Sequence, residues 1–390
     1  MHSERQHAIL SASSASRWLN CTPSAILEDA AGYSTSEYAE EGTTAHELAE
    51  AYINIINGIG RKSDHLKAVA RIKASKFYTA EFDEYVVDYV EYVLGLATDA
   101  LTQNINAIIV SEQRVDFSEY VPGGFGTADF TIINDSHVTV VDLKFGKGVA
   151  VYAKENSQLM LYALGVYCKY KEFLDLRTFR LIIMQPRLES ITEYEIDVET
   201  LVWWAENVVK PAADLAIRGK GERRCGEWCK FCKVKPGCPA IAKQFNSFVK
   251  DVEHGNYSDD AILNVLAYGD LVADYISTMK HEALKRALDG CKWAGYKVVE
   301  GRSTRQFIAG SHEIVVEDLE SQGYKRSMLY EEKPKPLTQL EKAVGKKKFA
   351  ELYGAFVIKP PGAPALVRED DKRAEFVSNS ADNYFDDLDV

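Results

Sequence analysis

No apolar run in these 390 residues approaches the roughly 18–20 residues that a bilayer-spanning helix needs. The first seven residues, Met-His-Ser-Glu-Arg-Gln-His, lack the apolar stretch of a secretion signal. Internal repeats and low-complexity tracts are missing as well. Cysteine is sparse and odd in number, at seven. With no secretion signal, that count argues against a disulfide scaffold. Basic charge is in deficit, 46 Lys and Arg against 58 Asp and Glu, for a net charge of -12. A uniformly basic binder is thereby excluded, but a local basic track is not. Arg218 to Lys235 holds seven basic and two acidic residues, whereas Glu375 to Val390 holds five acids and no Lys or Arg.

What is present is the make-up of a globular protein, 46% hydrophobic and 27% charged. The length suits one large or two modest domains. The reading is helical to about residue 100. Ser13 or Ser14 starts a short helix carrying Trp18. A second helix is expected at Thr44, with Glu47 completing a capping box, and ends near Gly58. Tyr85 to Leu101 is apolar at helical spacing. Strands follow at Ile108–Glu112, Phe130–Ile133 and Val140–Lys144, then a helix through Ser157–Tyr167. Phe179–Met184 reads as a strand with Glu193–Ile196 as its partner, and Val198–Ile217 as a helix. This order gives an α/β fold with a mixed central sheet flanked by helices. Ser258 to Gly290 reads as one long helix. A mixed segment with Gly301–Arg305 follows, then a helix around Leu337–Leu352. The expected division is a core over 1–250, a mainly helical C-terminal region with basic patches over 251–376, and a disordered acidic tail over 377–390.

The most informative stretch is Gly126-Thr-Ala-Asp129, then, after a polar turn, Val140-Val-Asp142-Leu-Lys144. On a strand, residues i and i+2 share a face, so Asp142 and Lys144 point together while Val141 and Leu143 enter the core. Two carboxylates and a cation on a rigid hairpin suit a divalent metal that activates water against a phosphodiester. His46, with Glu50 one turn further on, offers an imidazole to the same site. Gln158 and Tyr162 share a helix face just downstream, placed to hydrogen-bond phosphate or sugar oxygens and to stack on a splayed base. Singly these patterns are ordinary surface features; their joint order and spacing give them weight. Among the cysteines, Cys229-x2-Cys232-x5-Cys238 forms a tight thiolate group, and Cys225 is the local fourth ligand for a Zn²⁺ loop. Cys168 and Cys291 lie in apolar stretches and read as core.

Gly42-Thr-x-x-His46, Gly126-Thr-Ala-Asp129, Asp142-Leu-Lys144 and Gln158-x-x-x-Tyr162 together resemble the successive motifs of RecB-like nucleases. These form a branch of the PD-(D/E)XK superfamily with a restriction-endonuclease-like core, and the likeness spans roughly residues 10 to 245. The resemblance implies a Mg²⁺- or Mn²⁺-dependent deoxyribonuclease. His46, Asp129, Asp142 and the Leu143 carbonyl would bind the metal, and Lys144 would orient water or steady the phosphate. Gln158 and Tyr162 would hold the DNA strand. The second acid is Asp142, where many relatives carry Glu. Iron–sulfur members of the branch place one cysteine far upstream of a C-x2-C-x5-C group. By that match Cys21, Cys229, Cys232 and Cys238 hold a structural 4Fe–4S cluster. The whole chain also resembles a phage and prophage family of RecB-like nucleases. That implies a recombination exonuclease on linear duplex or single-stranded DNA ends, in the cytoplasm of a bacterial host. A single-strand annealing or SSB-like partner would dock on the acidic tail, and a homo-oligomer is compatible. The competing readings are a non-catalytic DNA-end-binding scaffold and a zinc-loop nucleic-acid-binding module.

Overall fold

Val, Ile and Thr dominate the segments that pair into a five-stranded sheet, as their branched side chains favour. Its strands are β1 (Ile108–Asp116), β2 (Phe125–Asn134), β3 (His137–Leu143), β4 (Thr178–Gln185) and β5 (Ser190–Asp197), in that spatial order. The β2–β3 hairpin closes at Asn134 opposite His137, with Asp135 at φ 53, a left-handed conformation that Asp tolerates in turns. β3 and β4 run parallel and the other neighbours antiparallel. A parallel pair needs a crossover, and helix α6 (Ser157–Tyr170) supplies it. The computed structural model describes residues 8–32, 36–253, 258–297, 318, 321 and 345–353. The chain divides into two units, residues 1–299 and 300–390.

Each face of the sheet carries its own core. Val138, Val140, Phe179, Leu181 and Ile183 join Leu159, Leu161 and Leu164 of α6, and Trp18 of helix α1 (Ala15–Asn20), on one face. Val141, Leu143, Ile182 and Met184 face the other way, against Leu48 of helix α3 (Glu37–Asn57) and Val86, Tyr89 and Val93 of helix α5 (Ala80–Gln103). The mixed sheet flanked by helices matches the α/β expectation. Among the described residues no helix is long and apolar enough to cross a membrane.

Several expected boundaries move. Helix α3 begins at Glu37, capped by Ser36, whose hydroxyl accepts from Ala39 N. Glu37 and Glu40 in its first turn favour that start, because carboxylates complement the positive helix end. Thr44 is therefore interior, donating back to Glu40 O, and the Thr44–Glu47 capping box does not form. His46 lies well inside the helix. Gly58 ends it at φ 66. Helix α2 (Ser24–Ala30) and helix α4 (Lys62–Lys73) were not anticipated. The helix expected over Val198–Ile217 is present as α7 (Val198–Trp204), a π-turn over Ala205–Val209, and α8 (Lys210–Ala216).

Residue 250 falls inside helix α9 (Pro239–Glu253), and the long helix α10 (Asp259–Leu288) belongs to the first unit, packed on α9. The buried ammonium of Lys235, in the cysteine-rich loop, fastens α10 through Asp274 and also donates to Lys230 O. In the second unit a helix α11 (Lys346–Tyr353) carries Lys346, Lys347 and Lys348. The remainder of the helix expected from Leu337, the Gly301–Arg305 segment and the acidic tail lie outside the described residues.

Candidate active site

Strand alternation turns Asp142 to the side of Val138 and Val140, toward α6. Gln158 meets it there: its amide nitrogen donates to Asp142 Oδ1 at 3.2 Å and to the Tyr162 hydroxyl at 2.9 Å. The Gln158 carbonyl oxygen accepts from Lys144 Nζ at 2.8 Å. Lys144 Nζ also lies 2.7 Å from Asp142 Oδ2, but off the direction of a hydrogen bond, so that buried oxygen has a counter-charge without a directed donor. Asn156 caps α6 by accepting from Gln158 N and Leu159 N, which fixes the helix start beside Lys144.

Asp129 is approached from elsewhere. His46 Nε2 reaches Asp129 Oδ2 at 3.1 Å, and Leu143 N donates to the same oxygen at 2.7 Å. His46 Nδ1 sits 2.8 Å from Gly42 O, which makes Nδ1 the donor and orients the ring. The Leu143 carbonyl belongs to the peptide whose N–H, on Lys144, donates to Met184 O of β4. A trans peptide points its C=O opposite to its N–H, so this carbonyl faces the Asp129 side.

A local break in the sheet makes the meeting possible. The register pairs Ser111 with Phe130 and Gln113 with Ala128, leaving Glu112 opposite Asp129 between them. Glu112 adopts φ 47, left-handed backbone that a non-glycine residue rarely takes inside a strand. Both strands change faces there: Ile109 packs with the α3–α5 core and Val115 with the α6 core, despite an even spacing. Ala128 and Phe130 likewise fall in opposite cores. Asp129 thereby sits where the two faces meet, within reach of His46 on one helix and of the α6 network on the other.

The electrostatics follow from this crowding. Burial works against charge on His46, but the neighbouring Asp129 carboxylate, its hydrogen bond and the Gly42 carbonyl outweigh it, and the imidazole pKa is pushed up to about 10. For Asp129, burial raises the carboxyl while His46, Leu143 N and Lys144 pull it down, and the net position is below its ordinary value. Asp142 goes the other way: burial, against the attraction of Lys144 and with the repulsion of Asp129, holds it above its ordinary value. Glu112 is pushed up to about 8 by burial and by the charge of Asp129. Four acids, Glu112, Asp129, Asp142 and Glu50, thus share one field with His46.

Hard oxygen donors with one imidazole are the ligand types that Mg²⁺ and Mn²⁺ take. The buried Asp142 Oδ2, held by the Lys144 charge alone, and the orientation of the Leu143 carbonyl fit such an ion. Among the described residues, however, no three His, Cys, Asp or Glu side chains converge closely enough to hold one ion as they stand. His46 is turned onto Asp129, and Asp142 onto Lys144 and Gln158.

The cysteines lie apart from this site. Cys21, at the end of α1, lines one small cavity with Cys229, Cys232 and Cys238, together with Arg17, Trp228 and Ile241. Cys225 is close enough to feel the charges of Cys21 and Cys238, but it does not line the cavity. Glu28 ties the two chain segments: its carboxylate takes Arg17 Nε at 2.8 Å and Lys233 N at 2.9 Å.

The structure therefore groups His46, Asp129, Asp142, Leu143, Lys144, Gln158 and Tyr162, and separately Cys21, Cys229, Cys232 and Cys238. Two expectations change. Tyr162 is 6% exposed and cannot stack on a splayed base; its ring instead packs over Gly126, where an added Cβ would lie 2.8 Å from Cε1. Cys291 is exposed rather than core. Glu112 was missed as a site residue, because its place in the site depends on the left-handed backbone that breaks the strand there. One solved structure, described as "Crystal structure of SSO0001", matches with 19% identity over 56% of this chain and 95% of that chain, at a TM-score of 0.22. The family described as "Protein of unknown function (DUF2800)" matches residues 7–374, and the chain belongs to that family.

Proposed function

We propose that this protein is a metal-dependent deoxyribonuclease of the PD-(D/E)XK type, cutting phosphodiesters from linear DNA ends. The observation that carries the reading is the network joining Asp142, Lys144 and Gln158 beside the His46–Asp129 pair. His46, Asp129, Asp142 and the Leu143 carbonyl would hold Mg²⁺ or Mn²⁺, which when bound supplies Lewis-acid stabilisation and an acidified water. The protein's own groups do the rest. Lys144 places a fixed positive charge against the phosphate as its equatorial oxygens gain charge. Gln158 holds both Lys144 and Asp142, and Tyr162 holds Gln158. In the reaction a water oxygen bonds to phosphorus, the ester P–O bond breaks, and the leaving oxygen takes up a proton.

The four cavity-lining cysteines would hold a 4Fe–4S cluster as a staple between the N-terminal helix and the cysteine-rich loop. A single Zn²⁺ draws four sulfurs to about 2.3 Å from one point. The cavity is lined by Cys21, Cys229, Cys232 and Cys238, which favours the cluster, while Cys225 lies close enough to Cys21, Cys229 and Cys238 to be the zinc alternative's fourth ligand. Anaerobic preparation of wild type, Cys21→Ser and Cys225→Ser separates the two: a visible iron–sulfur absorption lost with Cys21 alone supports the cluster. Bound zinc lost with Cys225 would overturn it.

A second reading, a non-catalytic DNA-end-binding scaffold, draws on one feature: both site carboxylates already have protein cations beside them. Digestion of end-labelled linear and circular duplexes, with Mg²⁺ or Mn²⁺, decides. Loss of linear substrate by wild type but not by Asp142→Ala supports the nuclease. Equal behaviour of the two would sink it.

A further inference from the structure

Between Lys144 and Gln158, which touch at 2.8 Å, the chain makes an irregular excursion over residues 145–156. Loops without secondary structure normally move, but this one is pinned. Gln185, at the end of β4 and 1% exposed, devotes its whole amide to the excursion's backbone: Oε1 accepts from Val151 N at 2.7 Å, and Nε2 donates to Val149 O at 3.0 Å and Gly146 O at 3.5 Å. Thr192 of β5 accepts from Ala153 N at 3.0 Å, and Asn156 donates to Tyr152 O at 3.2 Å. A buried amide satisfied on both its oxygen and its nitrogen by the loop's own backbone holds that backbone in one arrangement.

The pinned loop displays a particular set of side chains. Lys147, between Gly146 and Gly148, is exposed, as are Val149, Tyr152 and Lys154, with Tyr152 at 54%. Glu155, the loop's acid, lies toward Tyr194 of β5. An exposed aromatic flanked by two lysines on a rigid backbone is the combination that binds single-stranded nucleic acid, by stacking and phosphate contact. Both ends of the loop enter the candidate active site directly.

We propose that loop 146–154 is the nucleotide grip of this site: Tyr152 stacks on an unpaired base near the cut, and Lys147 and Lys154 contact the adjoining phosphates, with Gln185 as the positioning residue that holds them. The inference rests on the nuclease reading above and assigns its substrate contact to single-stranded DNA.

The test is binding of a fluorescent single-stranded oligonucleotide to the full chain in calcium, with cleavage in Mn²⁺ measured separately. Tyr152→Ala should weaken binding by about 5- to 160-fold, the range that loss of one base–aromatic stack gives, whereas Tyr152→Phe should bind like wild type. Lys147→Ala should lower the slope of log affinity on log salt by about 0.7, the share of one single-strand phosphate. Gln185→Ala should weaken binding with Tyr152 still in place. Wild-type affinity and salt slope in Tyr152→Ala and Lys147→Ala, with wild-type cleavage intact, would overturn the grip and leave the nuclease standing. If the wild type neither binds nor cuts DNA, both ideas fall. A loop variant that unfolds is recognised by circular dichroism, and Tyr152→Phe against Tyr152→Leu then decides: equal loss in both overturns stacking.

Discussion

His46 and Asp129 stand 83 positions apart in sequence, yet their side chains meet at 3.1 Å. The contact crosses from α3 to the middle of β2, and it exists because β1 and β2 exchange faces at Glu112 and Asp129. Neither residue is remarkable in its own element. Their meeting defines one wall of the candidate site, and the α6 network defines the other.

On the proposed nuclease reading, Asp142 serves function rather than stability. It is 2% exposed, and its carboxyl is held above its ordinary value, mainly by burial. Asp142→Asn keeps the shape and removes a desolvated charge. DNA cleavage should fall by about 10²–10⁴-fold, the scale of a lost acid–base or electrostatic group. The unfolding midpoint in a chelator should hold or rise. A stability loss together with unchanged cleavage would assign Asp142 a structural role.

Gly126 admits the Tyr162 ring. An alanine Cβ would lie 2.8 Å from Tyr162 Cε1 and 3.6 Å from the Ala12 side chain. Gly126→Ala should therefore cost about 1–3 kcal/mol by overpacking, read by denaturant unfolding. Because Tyr162 accepts from Gln158, cleavage should drop by more than the loss of folded protein explains. Tyr162→Phe keeps the ring and tests the hydroxyl alone.

The cap on α6 provides an independent probe of rigidity. Asn156 accepts from two backbone N–H groups and also donates to Tyr152 O. Asn156→Ala should cost about 0.5–2 kcal/mol of stability. Asn156→Asp retains the accepting oxygens and should recover most of that; failure to recover would locate the effect in the Tyr152 contact instead.

Cysteine reactivity separates two thiols that share apolar sequence surroundings. Burial and the neighbouring Glu119 push the Cys168 thiol up to about 11, whereas Cys291 is exposed. The thiolate is the reactive species. Alkylation of the native protein at mildly alkaline pH, followed by mass spectrometry, should label Cys291 before Cys168. Raising the pH through the folded value should speed Cys168. Equal rates at the lower pH would mean that Cys168 is not held as described.

Much of this protein is legible from residue spacing. The hairpin, its Asp142-x-Lys144 arrangement and the Gln158–Tyr162 face depend on periods of two and about four residues, which local backbone geometry fixes. Helix α10 was legible from Ser258 and Gly290 for the same reason. The start of α3 was misplaced because two candidate caps compete, Ser36 and Thr44, and their surroundings decide. Glu112 was invisible because alternation assumes an uninterrupted strand, and nothing local announces a left-handed residue there. The exposure of Cys291 and the burial of Tyr162 likewise follow from which faces are covered.

The amino-acid sequence by itself set the α/β class, the order of strands and helices, and the chemistry carried by each. These depend on interactions within a few residues of each other. Tertiary structure alone decided which side chains meet: His46 with Asp129, Gln158 with both Asp142 and Lys144, Cys21 with the cysteines beyond residue 228, and Gln185 with the backbone of the exposed loop. Such meetings are settled by how two cores close around one sheet, and a single exchange of faces at Glu112 and Asp129 brings the two halves of the site together.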